Sequence, residues 1–153
     1  IVNDKPLLQV WRAGGVTHVH TMDAGGTHST DDLVRFEHAS YGRDMVCGAR
    51  RWHGWSGRTI VSRLAAAAYR VPDATCGFRC YDSGFLLRLP SILNKSGFTF
   101  HFVVLHYALQ MQAEIVFLPI DYKLVGRTSF RPRRLWDAIR TYAVLRLGGV
   151  PQC

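Results

Sequence analysis

Two charged residues follow predicted strands, at positions suited to a phosphate-bearing ligand. Asp23 follows a strand predicted over residues 16–22, and Arg50 follows one predicted over residues 44–49. Ligands of open α/β sheets collect outside the carboxyl ends of the strands. A carboxylate and a guanidinium at that edge could hold a metal-bound diphosphate. The alternative is that Asp23 caps a turn and Arg50 is solvated, and the two residues alone do not decide between these interpretations.

Strand and helix patterns alternate along the chain. Apolar residues at helical spacing, Gly-Gly stops and a cap at Ser29 place the helices. Helices are predicted over residues 5–12, 29–39, 58–70, 83–89, 98–111 and 131–147, and strands over 16–22, 44–49, 80–81 and 114–122. The 153 residues therefore predict a single α/β domain, 1–153, in which helices cover a mixed, mainly parallel sheet.

The composition indicates a folded domain with an anionic partner. The chain is 48% hydrophobic and 20% charged, and 19 Lys and Arg against 11 Asp and Glu give a net charge of +8. Such a surplus attracts the phosphates of nucleic acid, lipid headgroups or nucleotides. No membrane-spanning helix is predicted, because the most apolar stretch, residues 98–120, is interrupted by His101, His106, Gln110, Gln112 and Glu114. No secretory signal is predicted either, and a cytoplasmic location is expected.

The four cysteines do not suggest a disulfide framework or a zinc site. Cys47 lies in an apolar run and is expected to be a small buried hydrophobe. Cys76 and Cys80 lack the second cysteine pair that a zinc site needs, and Cys153 is the last residue. Structural thiols in a reducing compartment are therefore expected.

Four short segments stand in an informative order. They are 19–28 (VHTMDAGGTH), 45–50 (MVCGAR), 73–81 (DATCGFRCY), and 118–122 (LPIDY) with 126–129 (GRTS). In this order they resemble the motifs of family 2 glycosyltransferases, most closely the dolichol-phosphate mannose synthase-like branch, over residues 5–149. The resemblance implies a three-layer α/β/α, GT-A-like (Rossmann-like) fold typical of nucleotide-diphospho-sugar transferases.

The resemblance also implies a reaction and the residues that carry it. A hexose would pass from a nucleotide-diphosphate sugar to a polyprenyl (dolichol-type) phosphate or a similar acceptor. Asp23, through Mg²⁺ or Mn²⁺, and Arg50 would meet the donor diphosphate. Asp73 would be the base if the acceptor were a hydroxyl. Donor or acceptor phosphates would be bound by Arg79, Lys123, Arg127, Ser129 and Arg131.

The chain departs from the family pattern at two places. Gly25 replaces the second aspartate of the Asp-x-Asp metal motif, so Asp23 is left as the one carboxylate for a divalent cation. The opening strands that bind the nucleotide base in this family are not in the sequence. The fold is therefore expected to be incomplete at its N-terminus, with a preceding segment or a partner chain covering the sheet edge.

A zinc-dependent hydrolase is the first alternative. His18 and His20 share one face of a strand because side chains alternate along it, and Asp23 and His28 follow. This order resembles the His-x-His-x-Asp-His motif of metallo-β-lactamases, with spacing that differs by one residue. Ordinary strand histidines are the competing interpretation.

A basic binding module is the second alternative. Seven cations lie between residues 121 and 153, which would suit a nucleic-acid backbone, although no nucleic-acid motif is present and no such partner is expected. The basic amphipathic helix over residues 131–147 carries an apolar stripe of Leu135, Trp136, Ile139, Tyr142, Ala143 and Leu147. That stripe either packs on the domain or lies at a membrane surface, which would make the protein peripheral at the cytoplasmic face.

Overall fold

A four-stranded sheet forms the centre of the described part of the chain. The computed structural model describes residues 5–22, 28–51, 57–90, 100–122 and 132–148. The strands follow the order β1-β3-β2-β4 across the sheet. They are β1 (His18–Thr21), β2 (Met45–Arg50), β3 (Arg79–Asp82) and β4 (Ile115–Ile120), each within two residues of a predicted strand end.

The strand directions place the strand ends that carry candidate site residues at one edge of the sheet. β2 and β4 are parallel, whereas β3 is antiparallel to both β1 and β2. The predicted mixed sheet is confirmed, with fewer parallel pairings among the described strands than expected. The reason is that β3 begins with Arg79 opposite Cys47, toward the carboxyl end of β2, and runs back along that strand. The carboxyl ends of β1, β2 and β4 therefore meet at one edge of the sheet, called here the carboxyl edge.

The helices lie close to their predicted positions. Gly15 follows the first helix with a φ of 88° and Gly148 follows the last with a φ of 72°, as expected of glycine stops. Ser29 Oγ accepts a hydrogen bond from the Asp31 amide at 3.2 Å, but the capping position itself is Thr30. The helices are α1 (Lys5–Ala13), α2 (Asp31–Ser40), α3 (Gly57–Tyr69), α4 (Ser83–Arg88), α5 (Phe100–Gln110) and α6 (Pro132–Arg146).

Apolar side chains cover both faces of the sheet, which gives the predicted three layers. Alternate residues of β2 enter different clusters, since Met45 and Cys47 pack with α5 and Val46 packs with Phe36 of α2. The strongly apolar α5 is largely buried, as its composition predicts, through Phe102, Val103, Val104, Leu105 and Ala108. Because both faces of the sheet are packed, the strands are held in place and the residues at the carboxyl edge have fixed positions.

The described cysteines belong to this core. Cys47, Cys76 and Cys80 are buried, and burial raises the pKa of each thiol to about 11. The prediction of Cys47 as a small buried hydrophobe is confirmed. Gly48 lets the strands and the 76–78 turn approach closely, because a Cβ there would lie 2.7 Å from Ile120 Cδ1. Cys153 lies outside the described residues.

The predicted apolar stripe of the last helix is divided between the domain and solvent. Among its described side chains, Thr141 and Leu145 are buried and Tyr142 of the stripe contacts Tyr69, while Trp136, Ile139 and Leu147 of the stripe are exposed. Within the described ranges, none of the helices is long and apolar enough to cross a bilayer.

Candidate functional site

A buried ion pair stands at the carboxyl edge. Arg50 is the last residue of β2, and Asp73 lies in the turn that follows α3. The guanidinium donates from Nε to Asp73 Oδ2 at 2.7 Å and from Nη2 to Oδ1 at 2.9 Å. The Arg50 side chain is 7% exposed and that of Asp73 is 0% exposed. The sequence singled out both residues, and the structure brings them together as a bidentate pair.

The carboxylate of Asp73 is engaged by hydrogen bonds from within the protein. Its Oδ1 also accepts hydrogen bonds from the amides of Thr75 at 2.9 Å and Cys76 at 3.1 Å. Burial by itself would raise the pKa of Asp73, but the hydrogen bonds and charge of Arg50 outweigh it and hold that pKa below its usual value. A buried carboxylate with this many donors has no access to an acceptor hydroxyl, so the geometry does not fit the role of base expected for Asp73.

Arg50 is likewise not a solvated cation. Burial would lower its pKa, but the hydrogen bond and charge of Asp73 raise it. Its charge is balanced within the pair rather than directed at a ligand. Arg51, the next residue, is exposed at the same edge. Sequence reasoning passed over Arg51, although its place directly after a strand was the available signal.

Two hydroxyls extend the pair toward α3. Arg50 Nη2 donates to Thr75 Oγ1 at 2.5 Å, and Thr75 Oγ1 lies 2.7 Å from Ser62 Oγ. Ser62 belongs to α3, so one network ties that helix, the 73–76 turn and the end of β2 together. The spacing of Asp73 and Thr75 was the sequence signal for this network, whereas no sequence pattern pointed to Ser62.

Arg79 does not bind a phosphate in this arrangement. It is fully buried, and it donates to the carbonyl oxygens of Cys76 at 2.8 Å, Ala74 at 3.0 Å and His101 at 2.6 Å. This placement does not favour the phosphate-binding role expected for Arg79. This guanidinium instead satisfies backbone groups that would otherwise be buried without donors.

Aromatic rings continue the site on the other side of Arg50. Arg50 Cζ lies 5.4 Å from the centre of the Tyr122 ring. Tyr122 forms an antiparallel bridge with His28, and their ring centres are 5.3 Å apart. The His28 ring also stacks on Phe78 at 5.1 Å. Sequence reasoning assigned Tyr122 no role beyond the 118–122 motif and assigned His28 one only in the hydrolase alternative, because contacts between such distant residues leave no local pattern.

The residues that flank 23–27 are held at the carboxyl edge. Thr21, before the segment, donates through Oγ1 to the carbonyl of Gly77 at 2.8 Å. His28, after it, pairs with Tyr122. Five of the predicted site residues lie outside the described residues, namely Asp23, Lys123, Arg127, Ser129 and Arg131.

The two strand histidines are not assembled as a metal site. His18 Nδ1 lies 3.0 Å from Thr17 Oγ1, while His20 Nε2 lies 3.4 Å from the Cys80 thiol. Burial lowers the pKa of His20. Over the described stretches, no three His, Cys, Asp or Glu side chains gather in a way that could hold a metal ion. The geometry does not favour the hydrolase interpretation.

Comparison with solved structures connects the sheet to a known fold. No family model matches the chain, and no curated protein matches it. Glucosyl-3-phosphoglycerate synthase from Mycobacterium tuberculosis, in complex with phosphoglyceric acid, is similar, with a TM-score of 0.59 and 15% identity over 96% of this chain and 54% of that one. Its complex with Mn²⁺ and UDP-glucose gives a TM-score of 0.59 and 16% identity over the same shares. The fold is GT-A-like.

The GT-A-like fold agrees with the expected three layers and mixed sheet. The complex of the same enzyme with UDP gives a TM-score of 0.55 and 14% identity, over 93% of this chain and 52% of that one. At such identities the likeness is one of fold. The chain spans about half the length of these structures.

Proposed function

We propose that the chain takes part in transferring a hexose from a nucleotide-diphosphate sugar to a polyprenyl phosphate or a similar acceptor. The observation that carries the proposal is the carboxyl edge of the GT-A-like sheet. There Arg50, Asp73 and Thr75 form one rigid network, and Thr21 and His28 hold both ends of the segment that contains Asp23. The order of motifs further suggests family 2 and the dolichol-phosphate mannose synthase branch.

The proposed chemistry is a displacement at the anomeric carbon of the sugar. The bond from that carbon to the diphosphate oxygen breaks, and a bond to an acceptor oxygen forms. Negative charge builds up on the leaving diphosphate, so fixed cations near it lower the barrier. Since Arg50 is engaged by Asp73, we assign this role to exposed Arg51 and to Lys123, Arg127 and Arg131, the cations of the sequence segment 123–131.

A phosphate acceptor suits the buried state of Asp73. A phosphate monoester with a second pKa of about 6 is largely a dianion at neutral pH. Such a nucleophile needs no strong general base. The burial of the Asp73 carboxylate is therefore compatible with a lipid phosphate as the acceptor. Arg127, Ser129 and Arg131 would hold that phosphate.

The described residues do not supply a divalent-metal site. Asp73 is committed to Arg50, and Gly25 has no side chain to offer. One similar structure contains Mn²⁺ together with UDP-glucose. In this chain Asp23 would be the one carboxylate for Mg²⁺ or Mn²⁺, with donor phosphates as the remaining ligands.

Transfer assays on full-length protein test the proposal. With UDP-glucose or GDP-mannose as donor and a polyprenyl phosphate in detergent as acceptor, Asp23→Ala should lower turnover at least tenfold. Arg127→Ala should weaken use of the acceptor more than binding of the donor. Asp31→Ala, an exposed carboxylate in the first turn of α2, is the matched control and should keep its activity. Unchanged turnover in Asp23→Ala, or unchanged acceptor kinetics in Arg127→Ala, contradicts the assignment.

A further inference from the structure

The solvent-facing side of α6 carries large apolar side chains, which is unusual for an exposed helix surface. Trp136, Ile139 and Leu147 are 70%, 49% and 86% exposed. Positions 136, 140, 143 and 147 recur at the spacing that places residues on one side of a helix, with Ile139 beside them. Arg140 therefore stands in the middle of this face, called here the Trp136 face.

The helix that carries the Trp136 face packs against the rest of the protein on its opposite side. Thr141 and Leu145 are buried, and the ring of Tyr142 lies 5.5 Å from that of Tyr69. Arg146 donates to the carbonyl of Ala68 in α3 at 3.1 Å and to Tyr142 Oη at 3.1 Å. The exposed tryptophan is thus not the result of a loosely packed helix, and the face needs no rearrangement to meet a partner.

The charge of the surrounding sequence selects the kind of partner. Between residues 123 and 147 there is a single acidic residue, Asp137. The same stretch has seven cations: Lys123, Arg127, Arg131, Arg133, Arg134, Arg140 and Arg146. Two copies of this chain meeting through the face would bring like charges together. A nucleic-acid backbone would meet the cations but would leave the large apolar side chains unused.

We propose that the Trp136 face docks on an anionic lipid bilayer. Trp136, Ile139 and Leu147 would enter the headgroup region, where tryptophan is favoured, and Arg140 would meet acidic headgroups. The basic residues 123–131 directly precede the helix in the sequence, so docking would bring them close to the surface where a lipid phosphate resides. The inference goes beyond the proposed transfer reaction, because binding to a bilayer requires neither a sugar donor nor a metal.

Vesicle cosedimentation of the whole chain tests the docking. The probes are phosphatidylcholine vesicles with and without 30% phosphatidylglycerol, used without nucleotide. Wild-type protein should bind the anionic vesicles and not the neutral ones, and high salt should weaken binding because it screens the charges. Trp136→Ser with Ile139→Ser should weaken binding at least tenfold, and Arg140→Gln should weaken it severalfold.

Matched controls distinguish docking from nonspecific adsorption of exposed apolar side chains and from misfolding. Val34→Ser on α2 removes an apolar side chain that is 57% exposed elsewhere, and it should bind like wild type. Thermal melts should be unchanged in all variants, since the replaced side chains are exposed. Equal binding by the Trp136→Ser, Ile139→Ser variant, no binding by wild type, or equal binding to neutral vesicles overturns the proposal. A wild-type dimer that this variant converts to a monomer overturns it too, as does tight DNA binding lost on the same substitutions.

Discussion

Arg50 and Asp73 form an ion pair in which both charged groups are almost entirely removed from water. Removing two charges from water is costly, and the cost is recovered only where the geometry is good and the remaining donors and acceptors are satisfied. Here two short hydrogen bonds join the groups, and Thr75 and Cys76 satisfy the rest of the carboxylate. The pair therefore acts as a fixed corner between β2 and the 73–76 turn.

Breaking this pair should destabilise the protein strongly. Asp73→Asn leaves the Arg50 charge buried and uncompensated, and we expect the free energy of unfolding to fall by about 3–5 kcal/mol. Urea unfolding followed by circular dichroism measures the loss. Glu114→Gln is the control, because the Glu114 pair with Arg43 is exposed and should contribute at most about 1 kcal/mol. A loss below that control value in Asp73→Asn would show that the pair is not the structural corner.

The double variant Arg50→Met, Asp73→Asn refines the same measurement, because an amide oxygen at position 73 still accepts from the amides of Thr75 and Cys76. It removes both charges at once, so no buried charge is left without a partner. It should therefore lose less stability than Asp73→Asn alone.

The residues at the carboxyl edge were predictable in identity but not in role. Asp73 and Arg50 were singled out because their types and positions suit phosphate chemistry. The sequence could not show that they neutralise each other, since 23 positions separate them. Arg79 resembles any other cation in a basic chain, and only the folded backbone reveals that three carbonyl groups converge on it.

At the scale of elements, local patterns predicted where helices and strands occur, but not how they face each other. The glycine stops and the apolar run of α5 are properties of neighbouring residues, so they were visible in the sequence. The reversed direction of β3 depends on how the chain returns after α3. The outward position of Trp136 depends on which side of α6 meets Tyr69 and Phe102.

The contact of α5 with α3 and α6 should make stability depend on pH. His106 of α5 is 6% exposed, its Nδ1 lies 3.2 Å from Tyr69 Oη, and burial together with the charge of Arg146 lowers its pKa. The folded state thus takes up the His106 proton at a lower pH than the unfolded chain, in which a histidine titrates near about pH 6.5. Stability should therefore fall as the pH drops from 7.5 to 5.5, by at most about 1.4 kcal/mol per pH unit for one proton.

Urea unfolding at several pH values checks this expectation. His106→Gln keeps a polar group near Tyr69 without the titration, so it should flatten the dependence on pH. His38→Gln, at an exposed position on α2, should leave the slope of wild type unchanged. If His106→Gln keeps the full slope, the acid sensitivity arises elsewhere.

At the scale of the whole molecule, the sheet has two chemically different edges. The carboxyl edge gathers Thr21, Arg51, Thr75 and Tyr122 around the buried pair. At the opposite edge Asp44 accepts hydrogen bonds from the amides of Asp82 at 3.0 Å and Glu114 at 2.9 Å. The carboxylates of that edge are paired with arginines, Asp44 with Arg88 and Glu114 with Arg43. Ligands of open α/β sheets collect outside the carboxyl ends of the strands, so we assign the donor to the carboxyl edge, where Arg51 is exposed.

A titration of the ¹⁵N-labelled chain with UDP-glucose, followed by amide chemical shifts, tests whether the carboxyl edge holds a nucleotide-diphosphate sugar. We predict saturable shifts that cluster at Thr21, Arg51, Thr75 and Tyr122, with Asp44 and Asp82 unaffected. Shifts centred on the opposite edge, or no shifts up to millimolar UDP-glucose, would contradict the assignment of this edge as the donor site.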